Sequence, residues 1–390
     1  MLKVGIDLIS FYTSSQYLDL KSLAEARDVA VEKFYDGIGQ QQMSIAAIDE
    51  DAVTMGANAA AQIMDDCDKS TIGTVLFCTE SAVDQSKSSG IFVHKLLDLP
   101  SNCRVVELKQ ACYSATSALQ MACGLVCRHP EKSVLVIASD IAHYELNSPG
   151  ESTQGCGAVA LLITKNPRIL NVEPESGCYT TDSVDFWRPN YLKTPIVNGQ
   201  RSTFTYIKAA KECWKNLAEV SDITFDHLAA FCYHLPFSKI AEKAHTKVAK
   251  VANSVKTKEE LITQLQPSLV YNQKIGNSYT ASTYISFCSL LDNSNDLSNQ
   301  QIGFFAFGSG SVGEFYYGSI VEGYKSVIHT AKHKELFSQQ TEITFDQYLK
   351  LHEFRQSELC EDCELPHETT GAFRLAAIKD QHRVYAKCEK

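Results

Sequence analysis

Four residues of this 390-residue chain combine the right types and spacing for acyl-group chemistry. An apolar run from Thr74 to Thr79 ends on Glu80, and Cys112 then opens an apolar segment. A second apolar run, Leu228 to Tyr233, ends on His234, and Asn277 opens another apolar segment. The separations are 32 residues in the first pair and 43 in the second, where a charged stretch from Lys239 to Leu265 intervenes. Each half thus offers a titratable residue at a strand end and a polar residue at the start of a buried helix. Folded back to back, the halves bring together an acid, a thiol nucleophile, a base and an amide, the set that acyl transfer through a thioester needs.

Each residue also has a plainer reading. A cysteine in the first turn of a helix feels the positive end of the dipole and unpaired N–H groups, which lower its pKa and favour the thiolate. Cys112 is nevertheless one of 14 cysteines, most of which read as packing residues. His234 reads as a catalytic or ligand group at the carboxyl edge of a sheet, or as a structural histidine. Glu80 reads as a base with a raised pKa, or as a carboxylate at a helix N-terminus. Lys239 and Lys243, four residues apart, share a helix face that either receives a phosphate-bearing ligand or is solvated. Gly308-Ser309-Gly310-Ser311 reads as a tight turn whose backbone approaches a ligand, or as an ordinary hairpin turn. Cys360 and Cys363, with His367 and Cys388, form a weak zinc signal in an acidic tail.

The elements that must position these groups alternate between strand and helix, which gives an α/β fold. Apolar runs predict strands at Gly73 to Thr79, Ser133 to Ala138, Gly157 to Ile163, Ile302 to Phe307 and Glu314 to Val321. The segment from Cys112 to Cys127 is apolar on nearly every side, which predicts a central helix with no solvent face. The layout repeats, so the chain reads as a duplication with halves at 1–168 and 169–390. The tail from about 340 is charged and finds no place in the repeat.

Hydrophobic content of 44% and charged content of 21% suit a globular protein of two domains or one large duplicated unit. No apolar run reaches the ~18 residues of a membrane-spanning helix. The N-terminus reads as a first strand rather than a secretion signal. The cysteines then read as reduced thiols of a cytoplasmic protein. A net charge of −10 argues against nucleic-acid binding, though an anionic small molecule remains compatible with a local basic cluster.

Motifs spread over nearly the whole chain carry a resemblance. They are Leu23 to Arg27 with Gly37 to Gln40, Thr79 to Asp84, Ala111-Cys112-Tyr113, Ser152 to Ala160, Asp185 to Pro189, Asn198 to Ser202, His234 to Lys239, Gly276 to Thr280 and Gly308 to Gly310. With them the chain resembles the hydroxymethylglutaryl-CoA synthases of the bacterial mevalonate pathway, in the thiolase superfamily. The resemblance implies a thiolase-like duplicated fold, layered αβαβα, with two mixed sheets around buried helices. It implies that Cys112 is acylated by acetyl-CoA, that Glu80 removes a methyl proton and that His234 positions acetoacetyl-CoA. Asn277 and Ser309 would hold the acyl portion, with Tyr144, Thr153 and Ser202 also contacting substrate or product. Ala30, Lys33, Lys239 and Lys243 would meet CoA. No metal or redox cofactor is implied, and the assembly implied is a homodimer. Two positions depart from the pattern. Gln110 stands where many relatives have an acidic residue, and Ala30 where relatives often have Asp. Gln110 also occurs in the branch that installs β-methyl groups on polyketides with acyl-carrier-protein substrates, the alternative reading. A ketoacyl synthase of the same superfamily would also use Cys112, His234 and Asn277. Glu80 argues against it, because that reaction makes its carbanion by losing carbon dioxide.

Overall fold

The computed structural model describes residues 2–356 and 361–388. Nine strands make one hydrogen-bonded sheet: β1 (Val4–Tyr12), β2 (Ile72–Cys78), β3 (Arg104–Leu108), β4 (Ser133–Ala142), β5 (Gly155–Lys165), β6 (Leu170–Thr180), β7 (Ala230–Tyr233), β8 (Gln301–Gly308) and β9 (Val312–Ile320). The order is β7-β8-β9-β6-β1-β5-β4-β2-β3. It divides naturally at β1, which runs antiparallel to β5 along most of its length but meets β6 only at Gly5↔Asn171 and Ile6↔Leu170. A Cβ on Gly5 would stand 2.0 Å from the Leu170 carbonyl oxygen. Only glycine lets the two halves close up at this junction. The expected two mixed sheets are therefore present as a five-stranded and a four-stranded part, joined edge to edge. Within them β2 lies parallel to β3 and β4, and β7 parallel to β8, while the other pairs are antiparallel.

Strand periodicity sorts the side chains into layers. Val75 and Phe77 of β2 point to one face, with Leu135, Ile137, Ala160 and Leu162, and are covered by helices α1 (Ala52–Ala61) and α2 (Ser89–Leu96). Leu76 and Cys78 point to the other face, with Val136, Ala138, Val159 and Leu161. There they meet α3 (Ser114–Arg128) and a later helix, Ser282–Asn293, whose far side rests on Cys232, Phe304 and Tyr316. The opposite face of the second part, Phe231, Tyr233, Phe305 and Phe315, is covered by α4 (Gly199–Val220) and α5 (Ser238–Val251). The Ser282–Asn293 helix is α6. The result is five layers, αβαβα. Strands buried on both faces explain the continuous apolar runs.

The central helices differ from expectation in one respect. α6 is buried from Ser282 to Leu291, but α3 buries one side only and leaves Met121 51% exposed. A second departure concerns the tail, which forms a helix, α7 (Phe345–Gln356), and a hairpin of β10 (Phe373–Lys379) and β11 (His382–Lys387). Both fold back onto the first half. Its charges are spent on buried partners: Arg374 pairs with Asp49 at 3.0 Å, and Arg383 with Asp51 at 3.1 Å. Of the tail residues read as zinc ligands, Cys360 lies outside the described residues, while Cys363 pairs in a strand opposite Ile378. Among the described residues no cluster of three or more His, Cys, Asp or Glu is placed to hold a metal, and no helix is long and apolar enough to cross a membrane.

Candidate active site

β2 ends at Cys78, and the chain leaves the sheet through Thr79, Glu80 and Ser81. The departing loop is gathered by Asp140, a buried carboxylate near the end of the adjacent strand β4. Its Oδ1 accepts from the Glu80 N–H at 2.7 Å, the Thr79 hydroxyl at 2.9 Å and the Ser81 hydroxyl at 2.8 Å. Its Oδ2 accepts from the N–H and hydroxyl of Thr280 at 3.1 and 2.5 Å. One carboxylate thus fixes the Glu80 loop against the turn that follows Asn277. Burial pushes the pKa of Asp140 up against the pull of these bonds. The sequence signal was available: Asp140 is the one charged residue in the otherwise apolar or hydroxyl-bearing run Ser133 to Ala142.

Cys112 lies two residues ahead of the first residue of α3, with Tyr113 as N-cap. Ala111 before it has φ +45°, a left-handed conformation costly for a residue with a side chain, and such strain concentrates at functional sites. The loop is held down from the other half. A Cβ on Gly308 would meet the Gln110 carbonyl oxygen at 2.5 Å, and the Gln110 side chain donates to the Ser309 carbonyl at 3.3 Å. Tyr113 donates to the buried carboxylate of Glu314 at 2.7 Å.

The Cys112 thiol donates to Oε1 of Glu80 at 2.9 Å. Burial, and then the charge of Asp140, push Glu80 up to about 8, although the thiol and Arg188 pull it down. Burial and the Glu80 carboxylate push the Cys112 thiol well above its ordinary value. The sequence argument from the helix terminus expected the reverse. It fails because Cys112 sits ahead of the first turn, out of water and beside a carboxylate, and both effects disfavour a thiolate. The resting pair is a thiol hydrogen-bonded to a carboxyl group of high basicity.

His234 follows β7. Its backbone N–H donates to Phe305 at 2.8 Å, and its carbonyl accepts from the hydroxyl of Tyr206 at 2.7 Å. The ring is buried, Nδ1 has no hydrogen-bond partner among the described residues, and burial pushes its pKa down to about 3. It is a neutral imidazole with spare hydrogen-bonding capacity. Asn277 is buried too. Its N–H donates to the Thr153 carbonyl at 3.0 Å, and its side chain caps the following turn by accepting from the Tyr279 N–H at 2.9 Å.

These groups surround a cavity of about 270 Å³. Cys112, Tyr144, Thr153, Ser202, His234, Asn277 and Ser309 line it, against an apolar wall that includes Phe186, Phe237, Ile240 and Phe307. Glu80 stands behind Cys112. Seven of the twelve sequence-selected site residues therefore converge on one space, with Glu80 adjoining it. Lys33 lines a neighbouring cleft of about 350 Å³, which meets the first at Ser148 and Pro149. Ala30, Lys239 and Lys243 line neither space. Ala30 is exposed. Lys239 pairs with Glu242 at 3.1 Å, and the Lys243 ammonium lies 5.8 Å from the ring of Phe237. Besides Asp140, sequence reasoning missed Arg188, which donates to the Glu80 carbonyl, along with Tyr206 and Glu314.

Two family models match the chain: hydroxymethylglutaryl-coenzyme A synthase N terminal over residues 2–168, and the C terminal model over 246–388. A hydroxymethylglutaryl-CoA synthase of Enterococcus faecalis is 40% identical over 98% of this chain and 100% of its own. The polyketide biosynthesis 3-hydroxy-3-methylglutaryl-ACP synthase PksG of Bacillus subtilis is 31% identical over 82% of this chain and 80% of its own. A crystal structure of an HMG-CoA synthase complexed with CoA superposes with a TM-score of 0.93 at 39% identity, covering 99% of this chain and 100% of that one.

Proposed function

The chain belongs to the hydroxymethylglutaryl-coenzyme A synthase family, and from that premise we propose how its residues divide the work. The reaction condenses acetyl-CoA with acetoacetyl-CoA and water to give 3-hydroxy-3-methylglutaryl-CoA and CoA, in the mevalonate route to isoprenoids. The Cys112 sulfur attacks the acetyl-CoA carbonyl while its proton passes to Glu80, and the departing CoA thiolate takes that proton. Glu80, a carboxylate again, then removes a proton from the methyl group of the acetyl-cysteine. The carbanion attacks the ketone of acetoacetyl-CoA, and the resulting alkoxide takes up the proton held by Glu80, which returns to the carboxylate. Water finally cleaves the Cys112 thioester, releasing product and regenerating the thiol.

The environments suit these roles. A thioester methyl is a weak acid, so a carboxylate with a pKa of about 8 is a better base than an ordinary one. His234, kept neutral by burial, acts as a hydrogen-bond donor to the ketone oxygen as negative charge develops there. Asn277 and Ser309 hold the acyl chain, and Tyr144, Thr153 and Ser202 shape its pocket. Lys33, Lys239 and Lys243, with the loop around Ala30, meet the CoA moiety. The CoA thioesters are substrates, and side chains carry every step, so the scheme calls for no cofactor.

The observation that carries this reading is the 2.9 Å bond between the Cys112 thiol and Glu80 at the floor of a cavity that also holds His234. Mixing the protein with acetyl-CoA alone should leave one acetyl group on the Cys112 peptide by mass spectrometry. Glu80→Ala should still acetylate, though more slowly, yet fail to condense. Label on another cysteine, or an equal loss of both half-reactions, would overturn the assignment. Comparing acetyl-CoA with an acetylated carrier protein as donor separates the proposed reaction from polyketide β-branching.

We also propose a homodimer in the cytoplasm. Strand β3 is an open sheet edge with Val106 39% exposed, and Met121 and Cys127 are exposed on α3. Edges of this kind invite pairing with a second chain. The described cysteines are free thiols, as a reducing compartment would keep them.

A further inference from the structure

The charged C-terminal segment, which found no place in the repeat, reaches the wall of the acyl pocket. We propose that Tyr348 of α7 is a positioning residue for the condensation step, acting through the turn formed by Glu151 to Gln154; this rests on the division of labour proposed above.

That turn is a junction. The Gln154 side chain accepts from the Tyr144 N–H at 2.8 Å, and the Thr153 carbonyl accepts from the Asn277 N–H at 3.0 Å. Two pocket walls therefore hang on it. Tyr348 locks it by accepting from the Gln154 amide at 2.8 Å and donating to Oε1 of Glu151 at 3.1 Å. Glu151 in turn holds Arg27 through two bonds, 2.6 and 2.9 Å, at the neighbouring cleft that carries Lys33. One turn further along α7, His352 Nε2 donates to the Tyr144 carbonyl at 2.8 Å. Tyr144 is thus gripped at both its N–H and its C=O, once through Tyr348 and once directly by the tail.

Tyr348, Glu151, Gln154 and His352 are all buried, and the Tyr348 hydroxyl gives one bond and receives one. A satisfied network of this kind in a low-dielectric interior holds one geometry firmly. Its reach is selective. Cys112 and Glu80 lie on other loops, the Glu80 loop held by Asp140 and the Cys112 loop by Gly308 and Glu314. Loosening the turn should misplace the acceptor side of the pocket and leave the nucleophile and base where they are.

The test separates the half-reactions in Tyr348→Phe. Acetylation of Cys112 by acetyl-CoA should stay within about twofold of wild type. Condensation of the acetyl-enzyme with acetoacetyl-CoA should slow on the order of 10–100-fold, the scale of a small misplacement of reacting groups. His352→Ala should show the same split, and His352→Gln, whose amide can still donate to the Tyr144 carbonyl, should recover most of the condensation rate. This pair also serves if Tyr348→Phe does not fold. Condensation within twofold of wild type in both Tyr348→Phe and His352→Ala, or a proportional loss of both half-reactions, would overturn the proposal. Wild-type acetyl-enzyme that does not react with acetoacetyl-CoA would instead overturn the proposed function itself.

Discussion

Titrating Glu80 tests its role as the base. Its pKa is raised from 4.5 to about 8, chiefly by burial and then by Asp140. A base works only when ionised. At pH 7 roughly one carboxylate in ten would be ionised, and at pH 6 roughly one in a hundred, a cost of about 1.4 kcal/mol per pH unit. In the acetyl-enzyme the Cys112 thiol no longer donates to Glu80, and that bond had been lowering the pKa. The rate of condensation by preformed acetyl-enzyme should therefore rise about tenfold per unit between pH 6 and 7 and level off at or above pH 8. A single-turnover assay with labelled acetyl-enzyme and acetoacetyl-CoA from pH 6 to 9.5 reads this directly. His234, held near 3, should add no inflection in that range. The same shift bears on stability. The folded carboxyl binds its proton more tightly than the unfolded one, so its contribution is intact below about pH 4.5 and declines as pH rises through about 8. Glu80→Gln removes that decline. Its stability relative to wild type should grow by about 1.4 kcal/mol per pH unit between 4.5 and 8, measured by denaturant unfolding. A condensation rate flat from pH 6 to 9, together with a pH-independent difference in stability, would refute the reasoning.

Cys112 should react slowly with iodoacetamide at pH 7, because burial disfavours its thiolate; at pH 9, where Glu80 is ionised, Glu80→Gln should react faster than wild type, and a slower variant would count against the charge effect. Gly308→Ala should destabilise the protein by about 1–3 kcal/mol through overpacking against the Gln110 carbonyl, and should slow acetylation; thermal unfolding and mass spectrometry check the two parts. Replacing Lys239 and Lys243 together by Ala should raise KM for the CoA substrates several-fold and leave kcat nearly unchanged, the pattern of lost uniform binding. The effect should fade at high salt, and a collapse of kcat would show that the pair acts in the transition state.

Local chemistry made much of this molecule legible from its sequence. Continuous apolar runs such as Ser133 to Ala138 marked strands buried on both faces, and the abrupt change from such runs to Glu80 and His234 marked where the sheet presents side chains to a cleft. The motifs around Cys112, His234 and Asn277 indicated the family and, through that resemblance, its layers, while the half-and-half layout read only as a duplication. What the sequence left undecided depends on neighbours far apart in the chain. The direction of the Cys112 shift was misread because it depends on burial and on a carboxylate 32 residues away. Asp140 gathers the Glu80 loop and a turn 140 residues further on, and Tyr348 reaches back 197 residues to Glu151. Periodicity and turn chemistry act over a few residues, so a sequence can specify them. A pKa, a shared buried carboxylate or a network behind a pocket wall exists only after folding has chosen which distant groups leave water together, and that choice belongs to the tertiary structure.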